Sequence, residues 1–309
     1  MNNDYNMPDF DEASYSQIPA IIQLCGLGFK YINRDAVRSA RESKSQYILR
    51  DIARDALIKI NPDISEKSII DAIVELENVK MDAGVNQASE DIYINMLAGV
   101  GVSEFVNGKK VSPQLKFIDF EHPENNEFHV AAEFELSEVL DRRPDIVLFV
   151  NGIPLSVIEC KKASVPVEEA VHQMVRNQSG NNTPKFFLFP QLLIATNGQE
   201  LKYGTMLTPD EYYSVWKEKD VKLPETNVSN DIINEICRDL VRNPYKFSGI
   251  NESEQSFGIY NLLRPVRLLE LIRGYVFYDG GRKKVARYQQ YFAIKKTMDR
   301  IGNAKTPNE

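Results

Sequence analysis

The stretch RRPDIVLFVNGIPLSVIECKK, residues 142–162, constrains this chain more than any other part of it. Two apolar runs, 146–150 and 154–158, flank Asn151-Gly152. An Asn-Gly pair between such runs signals a hairpin, because both residues tolerate the positive φ of a tight turn. Runs this apolar at consecutive positions read as strands inside a sheet. Polar residues gather at the open end of the hairpin. Asp145 starts the first strand, and Glu159 and Lys161 finish the second. Being two apart, Glu159 and Lys161 point to the same face.

Whether Asp145 joins them is a question of parity. A plain two-residue turn pairs Val150 with Ile153 and sets Asp145 opposite Ile158, on the wrong face. A three-residue loop with Gly152 left-handed pairs Phe149 with Ile153 and Asp145 with Val157, which brings all three polar side chains together. A β-bulge has the same effect. One of these two devices is expected.

Two carboxylates and a lysine on one face suit phosphodiester hydrolysis. Asp145 and Glu159, with the backbone carbonyl of Cys160, offer the hard oxygen ligands that Mg²⁺ takes. A metal held there would stabilise developing charge and activate water, with Lys161 orienting that water or helping to deprotonate it. Isolated matches of this kind also occur as solvated surface residues. The apolar strands on either side argue for a site.

The rest of the chain sets the frame. With 309 residues, 43% hydrophobic and 26% charged, it has enough material for one large domain or two. A net charge of −7 counts against wrapping DNA unaided, although basic clusters occur at Arg34, Arg38, Arg41 and Lys44, at Arg142 and Arg143, and at 282–284. Three widely spaced cysteines argue against a disulfide framework and for a reducing cytoplasm. Neither a signal peptide nor a run long enough to span a bilayer is seen.

Spacing predicts helices over 18–24, 45–60 (capped by Ser45), 65–79, 87–98, 167–178, 209–217 (capped by Thr208), 229–242 and 286–301. Strands are expected over 114–120, 128–136, 145–150, 154–161 and 191–196, with a short one to about 206. The fold class is therefore α/β (α+β), a mixed sheet flanked by helices. The expected division is a loose tail over 1–13, one domain over 14–250, a linker over 251–257 and a new set of elements over 258–309.

The 142–162 stretch resembles the nuclease signature of the R (restriction and translocation) subunits of type I restriction enzymes. LCGLGFKYI (24–32), IDFEHPENNEFHVAAEFEL (118–136), TNGQELKYGTMLTPDEYYSVW (196–216) and ARYQQYFAIKKTMDRI (286–301) are similar to segments of that family, in the family order. The resemblance implies a PD-(D/E)xK restriction-endonuclease-like nuclease domain, followed by the start of a RecA-like helicase domain from about residue 258. It implies Asp145, Glu159 and Lys161 as the catalytic triad. Gln173 matches the Gln of a Gln-x-x-x-Tyr motif, although position 177 holds Asn177 rather than Tyr. Arg287 and Gln290 match a pair that recognises adenine. Implied partners are double-stranded DNA and the modification and specificity subunits. Implied cofactors are Mg²⁺ and, for a full-length subunit only, ATP. Because no GxxxxGK[S/T] motif occurs in these residues, the chain alone is expected not to hydrolyse ATP and to be part of a longer polypeptide. The rival readings are a module that docks into the complex with little cleavage of its own, and a stand-alone PD-(D/E)xK repair nuclease.

Overall fold

A computed structural model describes residues 12–303, apart from 107, 139, 181, 219 and 241–248. The expected tail residues 1–11, the last two positions of the helix expected over 229–242, and residues 304–309 lie outside the described residues.

Six strands form one mixed sheet in simple chain order: β1 (Lys30–Ile32), β2 (Phe128–Ala132), β3 (Ile146–Val150), β4 (Ile153–Cys160), β5 (Leu192–Thr196) and β6 (Leu201–Gly204). β1 runs parallel to β2 and β4 parallel to β5, and the other neighbours are antiparallel. Every residue of β3, β4 and β5 is buried, so the centre of the sheet is covered on both faces. Ten helices among the described residues surround it: α1 (Ile18–Gly26), α2 (Arg34–Ser39), α3 (Arg50–Ile60), α4 (Glu66–Glu77), α5 (Val85–Ala98), α6 (Val167–Asn177), α7 (Asn230–Leu240), α8 (Glu254–Leu263), α9 (Pro265–Gly274) and α10 (Tyr288–Asn303). The α/β class is as expected.

The β3–β4 turn is a two-residue one, with Asn151 at φ 49° and Gly152 at φ 73°, and Val150 pairs with Ile153. The parity is restored by a bulge. Phe149 pairs with Pro154 but Leu148 pairs with Ser156, so Leu155 is the extra residue. Beyond it Ile146 pairs with Ile158, and Asp145 therefore stands across from Glu159. Of the two expected devices, the chain uses the bulge. The turn itself is buried. Asn151 donates to the Phe117 carbonyl (2.9 Å) and to Asn126 Oδ1 (2.8 Å), and accepts from Glu127 N (2.8 Å). A Cβ at Gly152 would lie 2.6 Å from the Leu49 carbonyl oxygen and 2.8 Å from Ala53 N. Gly152→Ala should therefore lower stability by roughly 2–4 kcal/mol, combining overlap with a left-handed backbone. A urea midpoint equal to that of the parent would contradict this close approach.

Several expected elements are shorter, for visible reasons. The expected helix over 45–60 begins only at Arg50, and Ser45 does not cap it. The Glu77 carboxylate accepts from Tyr47 N (2.6 Å) and Ile48 N (3.0 Å), and Gly152 O accepts from Leu49 N (2.9 Å), so these amides serve tertiary partners. The strand over 114–120 shrinks to Gln114–Leu115. Asn61 and Asn126 side chains, rather than a neighbouring strand, accept from the amides of Lys116 and Asp119. The helix over 209–217 is only a 3₁₀ turn, Asp210–Tyr212, after which Ser214 exchanges both backbone hydrogen bonds with Tyr203. Thr208 instead accepts from Thr205 N.

The expected tail and linker also differ. Glu12 is helical, and Ala13–Gln17 forms a π-helical turn leading into α1. In the expected linker, Ser253 and Ser256 make a capping box and α8 begins at Glu254. Gln255 then accepts from Ser16 Oγ (3.0 Å) and Thr196 Oγ1 (2.8 Å). Residues 258–303 bury Ile259, Leu262, Leu263, Leu268 and Ile272 in the same core as the sheet. Tyr93 Oη donates to the carbonyls of Ile272 and Val276, and Tyr203 Oη to that of Ala286. No helix among the described residues is long and apolar enough to cross a membrane.

Candidate active site

The bulge at Leu155 delivers Asp145 to the mouth of the hairpin. Its Oδ2 accepts from Cys160 N at 2.6 Å, which ties the carboxylate to the end of β4. Its backbone carbonyl accepts from Gln17 Nε2 (2.8 Å) and Glu133 N (2.9 Å). Glu159 is 1% exposed and Asp145 7%. Lys161 Nζ lies 3.5 Å from Glu159 Oε1 and donates to the Cys160 carbonyl at 2.8 Å. From α6, Gln173 Nε2 donates to Glu159 Oε1. The structure thus brings Asp145, Glu159, the Cys160 carbonyl, Lys161 and Gln173 into one cluster. Asn177 does not join it. That residue is buried at the end of α6, where its carbonyl accepts from Thr183 N.

Burial pushes the Asp145 carboxyl up to about 7, offset in part by the Cys160 amide, with Glu12 adding to the rise. Glu159 goes well above the usual carboxylate range, through burial first and then through Asp145, with Lys161 opposing. For Lys161 burial acts downward, but Glu159, Asp145 and Glu12 outweigh it and hold the ammonium above its ordinary value. Two buried carboxylates that resist ionising side by side would be relieved by a cation between them. Glu159 Oε2 is buried without a hydrogen-bond partner, so one lone-pair face of the cluster is unsatisfied by the protein. Among the described residues no group of three or more His, Cys, Asp or Glu side chains is placed to hold a metal ion. Two carboxylates and a carbonyl, completed by water and phosphate, still suit Mg²⁺.

Sequence reasoning missed Glu12, Gln17 and Glu133. Glu12 Oε2 lies 3.4 Å from Lys161 Nζ. Glu133 breaks β2 with a left-handed backbone (φ 53°), accepts from Gln17 Nε2 at 3.2 Å and pairs with Arg143. An available signal was the apolar phase of α1. Extended one turn back from Ile18, Ile21 and Ile22, it puts Gln17 on the buried face. Arg287 and Gln290 lie far along the chain from this cluster and line a separate cavity of about 440 Å³, together with Tyr212, Phe277, Arg282 and Lys284. Gln290 Oε1 accepts from Arg287 N at 2.8 Å.

The chain is thus a mixed sheet flanked by helices, with two carboxylates and a lysine at the mouth of a central hairpin. The chain matches the family described as type I restriction enzyme R protein N terminus over residues 9–212, and it belongs to that family. It is 28% identical over 295 residues to a Methanocaldococcus jannaschii protein named as the MjaIXP endonuclease subunit of a type I restriction enzyme, covering 91% of this chain and 27% of the relative. It is 27% identical over 271 residues to the type I restriction enzyme HindI endonuclease subunit of Haemophilus influenzae, covering 84% of this chain and 23% of the relative. The chain spans about a quarter of the length of these curated relatives.

Proposed function

We propose that this chain is the Mg²⁺-dependent endonuclease region of a type I restriction enzyme R subunit, and that it cuts double-stranded DNA at the Asp145–Glu159–Lys161 cluster. The observation that carries the reading is the bulged register, which sets a buried Asp145 across from a buried Glu159 whose second oxygen has no partner.

In this reading Asp145, Glu159 and the Cys160 carbonyl hold the divalent cation, which supplies charge stabilisation to the scissile phosphate and acidity to water. The chain's own groups do the rest. Lys161, fixed between Glu159 and the Cys160 carbonyl, offers its ammonium protons to the attacking water and to the phosphate oxygens. Gln173 holds one Glu159 oxygen, which would leave the other free to take the cation. The Cys160 amide keeps Asp145 in register with both. Sequence choice belongs to a specificity subunit and methylation to a modification subunit. In a full-length subunit the cavity with Arg287 and Gln290 would take the adenine of ATP.

Calorimetric titration with Mg²⁺ tests the metal assignment. The parent should bind and release protons near pH 7, because its carboxylates start partly protonated, whereas Asp145→Asn should lose at least tenfold in affinity. Equal affinity in the two proteins would remove Asp145 from the metal set.

A further inference from the structure

We propose that the arginine-lined depression formed by α2 and the end of β2 carries the phosphate backbone of the duplex, leading it to the cluster at Asp145; this rests on the nuclease reading above. α2 is capped by Asn33, whose side chain accepts from Ala36 N, and it presents Arg34 and Arg38 four residues apart on one face. Arg41 follows at the next turn. These three side chains line the depression against Ala132, Glu133 and Glu135.

The arginines differ in how they are used. Arg41 is built in, since its guanidinium lies 4.0 Å over the Phe134 ring and it donates to the carbonyls of Gln46 and Glu135. Arg34 Nε is buried with no partner. Arg38 (3.5 Å) and Lys44 (3.1 Å) share the single carboxylate of Glu135, and both are more than half exposed. Arg143 pairs with Glu133 on the side toward the cluster. Asp35, Glu133 and Glu135 pair with Arg38, Arg143 and Lys44 on this face, and Asp239 accepts from Arg34 N at the start of α2, so what the face offers a phosphate is exposed N–H donors rather than an excess of charge.

Position and shape select the ligand. Glu133 forms part of the depression, and its amide bonds the Asp145 carbonyl, so the arginine face begins one hydrogen bond from the carboxylate cluster. The depression encloses only about 10 Å³, room for roughly one water, which rules out a nucleotide as its occupant. Spaced guanidinium groups along a shallow face match successive phosphates, each accepting two parallel N–H bonds. Such contacts position a duplex without reading its sequence, as an R subunit served by a separate specificity subunit requires.

The test is anisotropy of a labelled mixed-sequence duplex with the 309-residue chain in EDTA, where no cleavage occurs, across about 50–200 mM salt. Arg34→Gln/Arg38→Gln/Lys44→Gln should weaken binding at least tenfold and reduce the log–log salt slope by about 2–3. Arg34→Lys/Arg38→Lys should keep the parental salt slope, because the charge is unchanged, while losing the part of the affinity that the paired N–H bonds supply, which separates charge from folding. Arg54→Gln/Arg273→Gln, outside the depression, should bind as the parent does. Unchanged affinity and slope in the triple variant would overturn the proposal, and so would a parent that binds no duplex at the lowest salt. Mg²⁺-dependent plasmid cleavage by the parent and by Asp145→Ala is measured separately. A triple variant that loses binding while Asp145→Ala still cleaves would keep the surface and remove the nuclease reading.

Discussion

Glu159→Gln is expected to abolish cleavage and, in the same molecule, to stabilise the metal-free fold. The loss should be about a thousandfold or more, since a metal ligand serves several kcal/mol of transition-state stabilisation. The gain follows from burial. Glu159 is 1% exposed beside Asp145, and both carboxyls are raised, Asp145 to about 7. Groups with raised folded pKa values contribute full stability only below their unfolded values, and that contribution is lost as pH rises through the folded ones. The metal-free parent should therefore gain stability as pH falls from about 7.5 toward 5. Glu159→Gln should melt higher than the parent at pH 7.5 in EDTA and show a smaller rise on acidification. Added Mg²⁺ should raise the melting point of the parent and leave the variant unmoved. Thermal melts at two pH values, with and without Mg²⁺, check all of this. A variant less stable than the parent in EDTA at pH 7.5 would contradict the strained-pair account.

The second large effect lies at Lys283. A hairpin of β7 (Val276–Asp279) and β8 (Arg282–Val285) pairs Lys283 with Tyr278. The side chain is buried, its Nζ has no hydrogen-bond partner, and it lies 5.7 Å from the Tyr278 ring. Burial lowers its pKa to about 7. Between about pH 7 and 10 the unfolded chain then binds a proton at this lysine that the folded chain does not, so stability rises with pH by up to about 1.4 kcal/mol per unit. Lys283→Met should be more stable at neutral pH by several kcal/mol, in the manner of replacing an unpaired buried charge. Its stability should also lack that rise. Urea titrations of both proteins at pH 7 and pH 9 measure the slope, and parallel pH dependence would show that the lysine is solvated or paired.

The hairpin was legible because its signals are local. Asn151-Gly152 names the turn, the apolar runs name two covered strands, and alternation converts the chemistry into a demand on parity. The position of the bulge was not legible, because it depends on a distant partner: Leu155 O, freed from the ladder, accepts from Gln191 N at the start of β5. The same holds for the rest of the site. Glu12 meets Lys161 across 149 positions, and Glu133 reaches Asp145 only because β2 stops in a left-handed residue. Capping is a local signal where no tertiary partner competes, as at Ser65, whose side chain accepts from Ser68 N. It failed at Ser45 and Thr208, where Glu77 and the Tyr203–Ser214 bridge impose other partners on the backbone. The resemblance located Gln173, a residue whose spacing alone marks only a polar position on an amphipathic helix.

The most direct measurement is conversion of supercoiled plasmid by the purified chain with Mg²⁺, with EDTA, and by Lys161→Ala and Asp145→Ala with Mg²⁺. Cleavage by the parent that needs Mg²⁺ and falls at least a hundredfold in both variants is the predicted result. Cleavage that persists in EDTA, or at the parental rate in either variant, would contradict a metal-dependent site built on Asp145, Glu159 and Lys161.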